Sequence, residues 1–132
     1  MTNNANRPII VLGAGGHAKV LVDSLKRLGV QILGLTDPEI AKGEYILGIE
    51  VLGTDDLVLA YPPDSIWLVN GVGMTEHSTV RREVSLRMRR AGFSFATVVD
   101  PTAIVLSEVN LEEGTQIMAG VVIQSCTSIG VD

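Results

Sequence analysis

The chain has 132 residues, a net charge of −5 and 46% apolar against 19% charged residues. This length excludes a large multidomain enzyme, and the composition excludes an intrinsically disordered chain. The acidic balance disfavours nonspecific binding to nucleic acid or to an anionic membrane, which leaves a small molecule as the expected partner.

Short apolar runs alternate with longer segments of helical spacing from residue 8 to about residue 99, which predicts an α/β fold with a parallel sheet. Residues 9–12 form a continuous apolar run, typical of a central strand covered on both faces. Residues 17–28 place apolar side chains on one face and precede a glycine, so we expect a helix there. Residues 31–36 predict a second strand, and Asp37 then lies at its exit.

Five further elements follow before residue 100. Residues 51–52 predict a short strand, and Thr54 is placed to cap a brief helix after it. Residues 65–69 predict another buried strand, residues 76–91 a helix and residues 93–99 the last strand of the sheet. The Asp100-Pro101 pair predicts a boundary between two domains, 1–100 and 101–132.

A six-residue repeat replaces this pattern after residue 101. Its first position is always aliphatic and its second, four residues later, is small or β-branched. These positions are Val105, Leu111, Ile117, Ile123 and Ile129, and Val109, Thr115, Val121 and Thr127. Because a period of six is not helical, the repeat predicts a coil with flat faces whose repeated side chains point to a narrow axis.

A glycine-rich turn joins the first predicted strand to the first predicted helix. Gly13, Gly15 and Ala18 fit the G-x-G-x-x-G/A spacing with which a backbone cradles a diphosphate at a helix N-terminus. The alternative is a tight turn that needs glycine for conformational reasons alone.

A ligand crevice is expected where these loops leave the carboxyl edge of the sheet. The predicted substrate-binding residues are Gly13, Ala14, Gly15, Gly16, His17, Asp37, Asn70, Gly71 and Gly73. Asp37 has the position of a ribose-binding acid, or else it caps its loop. His17 is a candidate donor to a phosphate or sugar oxygen, or else a capping or packing residue. No residue is predicted to be catalytic.

Residues of three types outside this crevice are not assigned to the site. Five arginines at positions 81 to 90 are expected to line the solvent-exposed face of one helix, with Glu83 and Arg87 paired, and His77 is expected at the surface. Cys126 is the only cysteine, so the sequence allows no internal disulfide and no multi-thiolate metal site. We expect no metal, and a cytoplasmic protein because the N-terminus carries no secretory signal.

The run Ile-Val-Leu-Gly-Ala-Gly-Gly-His-Ala at residues 10–18, followed by six-residue repeats, resembles the sialic acid O-acetyltransferase and nucleotide-sugar N-acetyltransferase family. The resemblance implies a small Rossmann-like domain followed by a left-handed parallel β-helix that packs as a homotrimer. It also implies acetyl-CoA as co-substrate and a nucleotide sugar whose amino or hydroxyl group is acetylated.

Family members carry their general-base histidine in later coils of the β-helix and bind acetyl-CoA between neighbouring β-helices. We therefore expect these 132 residues to be the N-terminal part of such an enzyme, inactive alone and with an absent or incomplete acetyl-CoA site. One departure from the family is Asp100, where the family often has histidine.

Two other functions remain open on the sequence. The glycine spacing and Asp37 also suit an NAD-type dinucleotide-binding protein or oxidoreductase, although no second mononucleotide-binding half is present. The repeats alone also suit an oligomerisation module.

Overall fold

A five-stranded sheet forms the centre of the first part of the chain. The computed structural model describes residues 7–74 and 78–130. The strands of the sheet are β1 (Ile9–Leu12), β2 (Ile32–Thr36), β3 (Tyr45–Ile46), β4 (Ile49–Gly53) and β5 (Trp67–Asn70). Their order is β3-β4-β2-β1-β5, and all neighbours run parallel except the edge strand β3, which is antiparallel to β4. The predicted α/β fold with a mainly parallel sheet is therefore confirmed.

Strand β1 is buried on both faces, as its continuous apolar run predicts. Helix α1 (Gly16–Leu28) packs on one face of the sheet and helix α2 (Val80–Arg90) on the other. The odd-numbered residues of β1 lie in the core beneath α1, and the even-numbered residues lie in the core beneath α2. The two helices thus leave the carboxyl end of β1, with its glycine turn, at the edge of the molecule.

One predicted helix start and one predicted capping bond differ from the structure. Helix α2 begins at Val80 rather than near residue 76, and residues 75–77, His77 among them, lie outside the described residues. A 3₁₀ helix (Asp55–Ala60) follows Thr54 as expected, and Thr54 is its N-cap residue, but the Thr54 side chain makes no capping hydrogen bond. The Leu57 N–H donates to the Thr54 backbone oxygen at 3.2 Å, which is the first hydrogen bond of this helix.

The predicted last strand, residues 93–99, is wrong in its extent. Only Phe95 forms a bridge to the sheet, parallel to Leu68. The end of the segment is strand β6 (Val98–Val99), which pairs with the repeat region instead. The Val98 N–H donates to the Thr115 carbonyl oxygen at 2.9 Å, so the repeats bind the backbone groups that a longer sheet strand needs.

The β3–β4 hairpin is absent from the sequence-based expectation. Leu47 and Gly48 form its two-residue turn, with φ angles of 51° and 79°. Positive φ at both central positions is typical of tight hairpins, but Asn-Gly or Asp-Gly is the usual signal for it. Because the first position is leucine, the sequence does not show the usual signal of this turn.

Three two-stranded parallel sheets form the repeat region. Its strands after β6 are β7 (Ile104–Val105), β8 (Asn110–Leu111), β9 (Gln116–Ile117), β10 (Val122–Ile123) and β11 (Ser128–Ile129). The pairs are β6–β9, β7–β10 and β8–β11. Val98 pairs with Gln116 and Ile104 with Val122, so the chain returns beside itself after three six-residue repeats.

The corners between these strands repeat with the same period. A positive φ recurs every six residues at Glu108, Gly114, Gly120 and Cys126, with values of 60°, 81°, 74° and 63°. Cys126 is exposed at one of these corners. Between the corners, Thr115 and Ile117 are buried, so at least this part of the repeat has a packed interior.

Candidate functional site

The glycine turn after β1 packs directly on the loop after β5. Gly13 has a φ of 95°, and a Cβ there would lie 3.2 Å from the Gly71 carbonyl oxygen. A Cβ on Gly71 would lie 2.8 Å from the Leu12 oxygen and 2.9 Å from the Ala18 Cβ. Gly13 is therefore required by its positive φ and by close approach, and Gly71 by close approach alone.

The start of α1 presents unbonded backbone N–H groups. Gly15 is the N-cap residue and makes no side-chain cap, and the first turn of the helix carries no acidic residue. The first intrahelical bond is donated by Lys19 to the Gly15 oxygen at 3.1 Å. Cβ atoms on Gly15 or Gly16 would meet nothing within 4 Å. This end of the helix is open, and its dipole favours an anion there.

A cleft of about 280 Å³ lies in front of this helix start. Eight of the nine predicted substrate-binding residues line it: Gly13, Ala14, Gly15, Gly16, His17, Asp37, Gly71 and Gly73. Further lining residues are Pro38, Asp55, Val72, Val80 and Val84. The topology thus brings loops that follow three different parallel strands to one crevice, which we call the glycine cleft.

Asp37 both caps its own loop and borders the glycine cleft. Its Oδ1 accepts from the backbone N–H groups of Glu39 at 2.8 Å and Ile40 at 3.0 Å. Its Oδ2 accepts from the Ala14 N–H at 3.2 Å, which ties the glycine turn to β2. A carboxylate has about four acceptor sites, so these three bonds leave capacity for one ligand hydroxyl.

Asn70 does not line the glycine cleft. It is 1% exposed, and its side chain lies behind the loop that follows β5. Its Oδ1 accepts from the Val72 N–H at 3.1 Å, and its Nδ2 donates to the Arg81 backbone oxygen at 2.9 Å. The prediction that the Asn70 side chain contacts a ligand is therefore not supported, because its hydrogen bonds shape the loop that carries Gly71 and Gly73.

Thr36 and Asp55 form a part of the site that sequence reasoning missed. The Thr36 hydroxyl donates to the Asp55 carboxylate at 2.5 Å and accepts from the Gly13 N–H at 3.4 Å. Thr36 is fully buried, so it links the glycine turn to the cleft wall through one hydroxyl. The one available signal was its place as the last residue of a strand that ends beside the glycine turn.

Gln116 of the repeat region joins the glycine turn to the loop after β5. Its Oε1 lies 2.8 Å from His17 Nε2 and accepts from Arg81 Nη2 at 3.2 Å. Its Nε2 donates to the Asn70 backbone oxygen at 2.9 Å. A second cleft of about 300 Å³ lies beside this contact, lined by His17, Met74, Arg81, Gly114, Thr115, Gln116, Met118, Ile129 and Gly130. We call it the junction cleft, and His17 borders both clefts.

The arginines of α2 are less uniformly solvent-exposed than expected. Arg81 points inward, where its Nη1 donates to the backbone oxygens of Asn70 at 3.0 Å and Val72 at 2.8 Å. Arg87 pairs with Asp56 rather than with Glu83, which instead accepts from the Thr79 hydroxyl. The predicted Glu83–Arg87 pair is therefore wrong, because each side chain has a nearer partner.

Asp100 anchors the start of the repeat region to α1. It is 1% exposed and its Oδ2 accepts from Arg27 Nη2 and Ser24 Oγ, each at 2.5 Å. Its Oδ1 accepts from the Thr102 N–H at 2.9 Å. The Arg27 guanidinium, with Ser24 and Thr102, holds the pKa of Asp100 well below its usual range. Asp100, which differs from the histidine that the resemblance implies, thus joins the start of the repeat region to α1 through an ion pair.

The described residues contain no group of three or more side chains arranged to hold a metal ion. In the same ranges of the chain, no helix is both long and apolar enough to cross a membrane.

The family model that matches the chain is that of the PglD N-terminal domain, over residues 8–88. Among curated proteins, none matches the sequence significantly.

Two solved structures resemble the chain over almost its whole length. A variant of perosamine N-acetyltransferase from Caulobacter crescentus, in complex with CoA and GDP-perosamine, is 30% identical with a TM-score of 0.83. That alignment covers 94% of this chain and 57% of the other. The acetyltransferase domain of PglB from Neisseria gonorrhoeae, in complex with acetyl coenzyme A, is 26% identical with a TM-score of 0.75, covering 96% and 66%. The chain therefore spans less than two thirds of the length of these structures.

Proposed function

Because the chain belongs to the PglD N-terminal domain family of nucleotide-sugar N-acetyltransferases, we propose that its 132 residues form the nucleotide-sugar-binding part of a sugar N-acetyltransferase. The proposed substrate carries an amino group on its sugar, because the similar Caulobacter enzyme is a perosamine N-acetyltransferase. O-acetylation of a sialic acid, which the sequence resemblance also allowed, has no support in these matches.

The observation that carries the proposal is the open helix start within the glycine cleft. The N-cap residue of α1 is a glycine without a side-chain cap, and the space around Gly15 and Gly16 is empty. A diphosphate placed there accepts hydrogen bonds from the first N–H groups of the helix. Asp37, which lines the same cleft, then accepts from a hydroxyl or base of the nucleoside.

We further propose that the repeat region consists of the first coils of a left-handed parallel β-helix. Its support is the parallel pairing of strands three repeats apart and the corner residues that recur every six positions.

On the β7–β10 pair, Ile104 and Val122 lie side by side and are 54% and 51% exposed. This apolar pair supports packing as a homotrimer, and sedimentation of a Val122→Glu variant as a smaller species than the wild type would test it.

Acetyl-CoA is the proposed co-substrate of the whole enzyme, but residues 101–132 by themselves do not supply a cationic site for it. Residues 101–132 contain three glutamates and no lysine or arginine. They therefore offer no cation to the phosphates of CoA. We propose that these 132 residues bind the nucleotide sugar without transferring an acetyl group. The general-base histidine implied by the resemblance stays a prediction.

Isothermal titration of the purified chain tests the proposal. The ligands are GDP-perosamine, a UDP-linked amino sugar, CMP-sialic acid and NADH. Micromolar binding of at least one nucleotide sugar is expected, with NADH binding more weakly or not at all. Binding of NADH without binding of any nucleotide sugar would contradict the proposal and favour the dinucleotide-binding alternative.

A further inference from the structure

The Gln116 side chain has only one chemically consistent orientation. Its terminal amide meets a backbone carbonyl, Asn70 O, on one side and the Arg81 guanidinium on the other. A carbonyl only accepts hydrogen bonds, and a guanidinium only donates them. The NH₂ group must therefore face Asn70, and Oε1 must face Arg81. A flipped amide would oppose two acceptors on one side and two donors on the other.

This orientation determines which nitrogen of the neutral His17 ring carries the proton. Gln116 Oε1 is an acceptor only, and it lies 2.8 Å from His17 Nε2. Nε2 must therefore be the donor, and Nδ1 of the neutral imidazole is then unprotonated. Among the residues that the structure describes, none is hydrogen bonded to Nδ1. Because Nδ1 is attached to Cγ, it lies nearer to the His17 backbone at the border of the glycine cleft, whereas Nε2 reaches Gln116 of the repeat region.

We infer that Gln116 is a positioning residue that holds neutral His17 with Nδ1 as a hydrogen-bond acceptor for a hydroxyl or amine of the sugar. This inference rests on the proposed function for its ligand, but not for the protonation state of the ring. It differs from the expectation that His17 donates to a phosphate, because an unprotonated Nδ1 has nothing to donate to an anionic oxygen. The repeat region thereby influences sugar recognition in the glycine cleft.

The protonation state is measured first, without ligand. Long-range ¹H–¹⁵N spectra of the untagged chain at about pH 8, above the ordinary pKa of imidazole, distinguish the two neutral forms of the ring. His77→Ala assigns the His17 signals. The wild type is expected in the Nε2-protonated form, and Gln116→Ala is expected to show a mixture of both forms. A wild-type ring protonated on Nδ1, or a Gln116→Ala spectrum identical to the wild type, would overturn the inference.

Binding then tests the role in recognition. Gln116→Ala is expected to weaken GDP-perosamine binding about fivefold to tenfold and GDP binding by less than about twofold. Gln124→Ala is the matched control, because Gln124 is an exposed glutamine of the same region. Its affinities are expected within about twofold of the wild type. An equal loss for GDP and GDP-perosamine would show that Gln116 does not act through a sugar contact.

Substitutions of His17 itself distinguish a role as hydrogen-bond acceptor from a role in filling space. The amide oxygen of asparagine occupies approximately the place of Nδ1, so His17→Asn is expected to keep sugar binding within about threefold of the wild type. His17→Ala is expected to weaken GDP-perosamine binding about fivefold to tenfold, as Gln116→Ala does. If both His17 variants lose sugar binding equally, the acceptor role is wrong. If the wild type binds no nucleotide sugar but its ring is protonated on Nε2, the proposed function fails while the positioning by Gln116 stands.

Discussion

Gly15, at the N-cap of α1, has a backbone conformation that any residue can adopt, with φ of −85°, and has open space around it. We predict that Gly15→Asp weakens nucleotide-sugar binding at least about tenfold, because its carboxylate occupies the place of the diphosphate. The free energy of unfolding should change by less than about 0.5 kcal/mol, because aspartate is itself a good N-cap. Calorimetric titration and urea unfolding measure the two quantities.

The control for this variant is Ala119→Asp, which adds the same charge at an exposed position of the repeat region. It should leave the affinity within about twofold of the wild type. Unchanged binding by Gly15→Asp would show that the ligand does not approach the start of α1.

At Gly71, in contrast to Gly15, we predict that adding one methyl group lowers the stability of the fold. Its added Cβ would lie 2.8 Å from the Leu12 oxygen and 2.9 Å from Val11 Cγ1. We expect Gly71→Ala to lower the free energy of unfolding by about 1–3 kcal/mol. Gly130→Ala, where an added Cβ meets nothing within 4 Å, is the comparison and should be nearly neutral. Equal stabilities of the two variants would mean that the two loops separate easily.

Glycines and polar residues at the ends of predicted strands allowed most of the cleft-lining residues to be predicted from the sequence. The hydrogen-bond partners of these residues could not be predicted in this way. Gly13 and Asp37 follow strands directly, and parallel topology brings such positions together. Asn70 has the same sequence signature, yet its side chain is buried behind its loop. Gln116 gave no signal because its contact with His17 spans 99 positions along the chain, and no local pattern encodes such a contact.

At the scale of elements, Asp100 joins α1 to the first repeat, and its ion pair makes this junction sensitive to pH. The hydrogen bond from Arg27 is the main reason, and that from Ser24 the second, why the pKa of Asp100 lies below its value in the unfolded chain, about 3.9. The stabilisation is therefore fully present above this pH and is lost as the pH falls below it. We predict that Asp100→Asn lowers the Tm at pH 7 and reduces the loss of Tm between about pH 5 and pH 2.

Thermal melts at several pH values measure this effect, and exposed Asp64 supplies the comparison through Asp64→Asn. That variant should follow the wild-type pH dependence. If Asp100→Asn also followed it, the Arg27 ion pair would not be the tether that the structure indicates.

Elements with strong periodicity were predictable from the sequence, whereas the β3–β4 hairpin and the pairing of strand β6 were not. Helix α1 and strand β1 matched within one residue because their apolar patterns are unambiguous. The β3–β4 hairpin was missed, since its turn uses leucine at a positive φ. Strand β6 was assigned to the central sheet because a valine pair does not show which of two neighbouring sheets will accept it.

On the scale of the whole molecule, the contacts of Asp100 and Gln116 predict that the repeat region and the central sheet unfold together. Ile117 is 5% exposed, whereas Ile104 is 54% exposed. We expect Ile117→Ala to lower the free energy of unfolding by about 2–4 kcal/mol, and Ile104→Ala by less than about 1 kcal/mol. Fluorescence of Trp67, in β5, reports the transition in urea. A fluorescence midpoint unmoved by Ile117→Ala would mean that the repeat region unfolds independently.

The central claim is that a nucleotide sugar binds at the glycine cleft, and amide chemical-shift mapping tests it most directly. GDP-perosamine and a UDP-linked amino sugar are titrated into the ¹⁵N-labelled chain. The largest shifts are expected on the backbone amides of residues 13–17 and 71–73. Shifts confined to the repeat region, or no shifts at millimolar concentrations of either ligand, would contradict it.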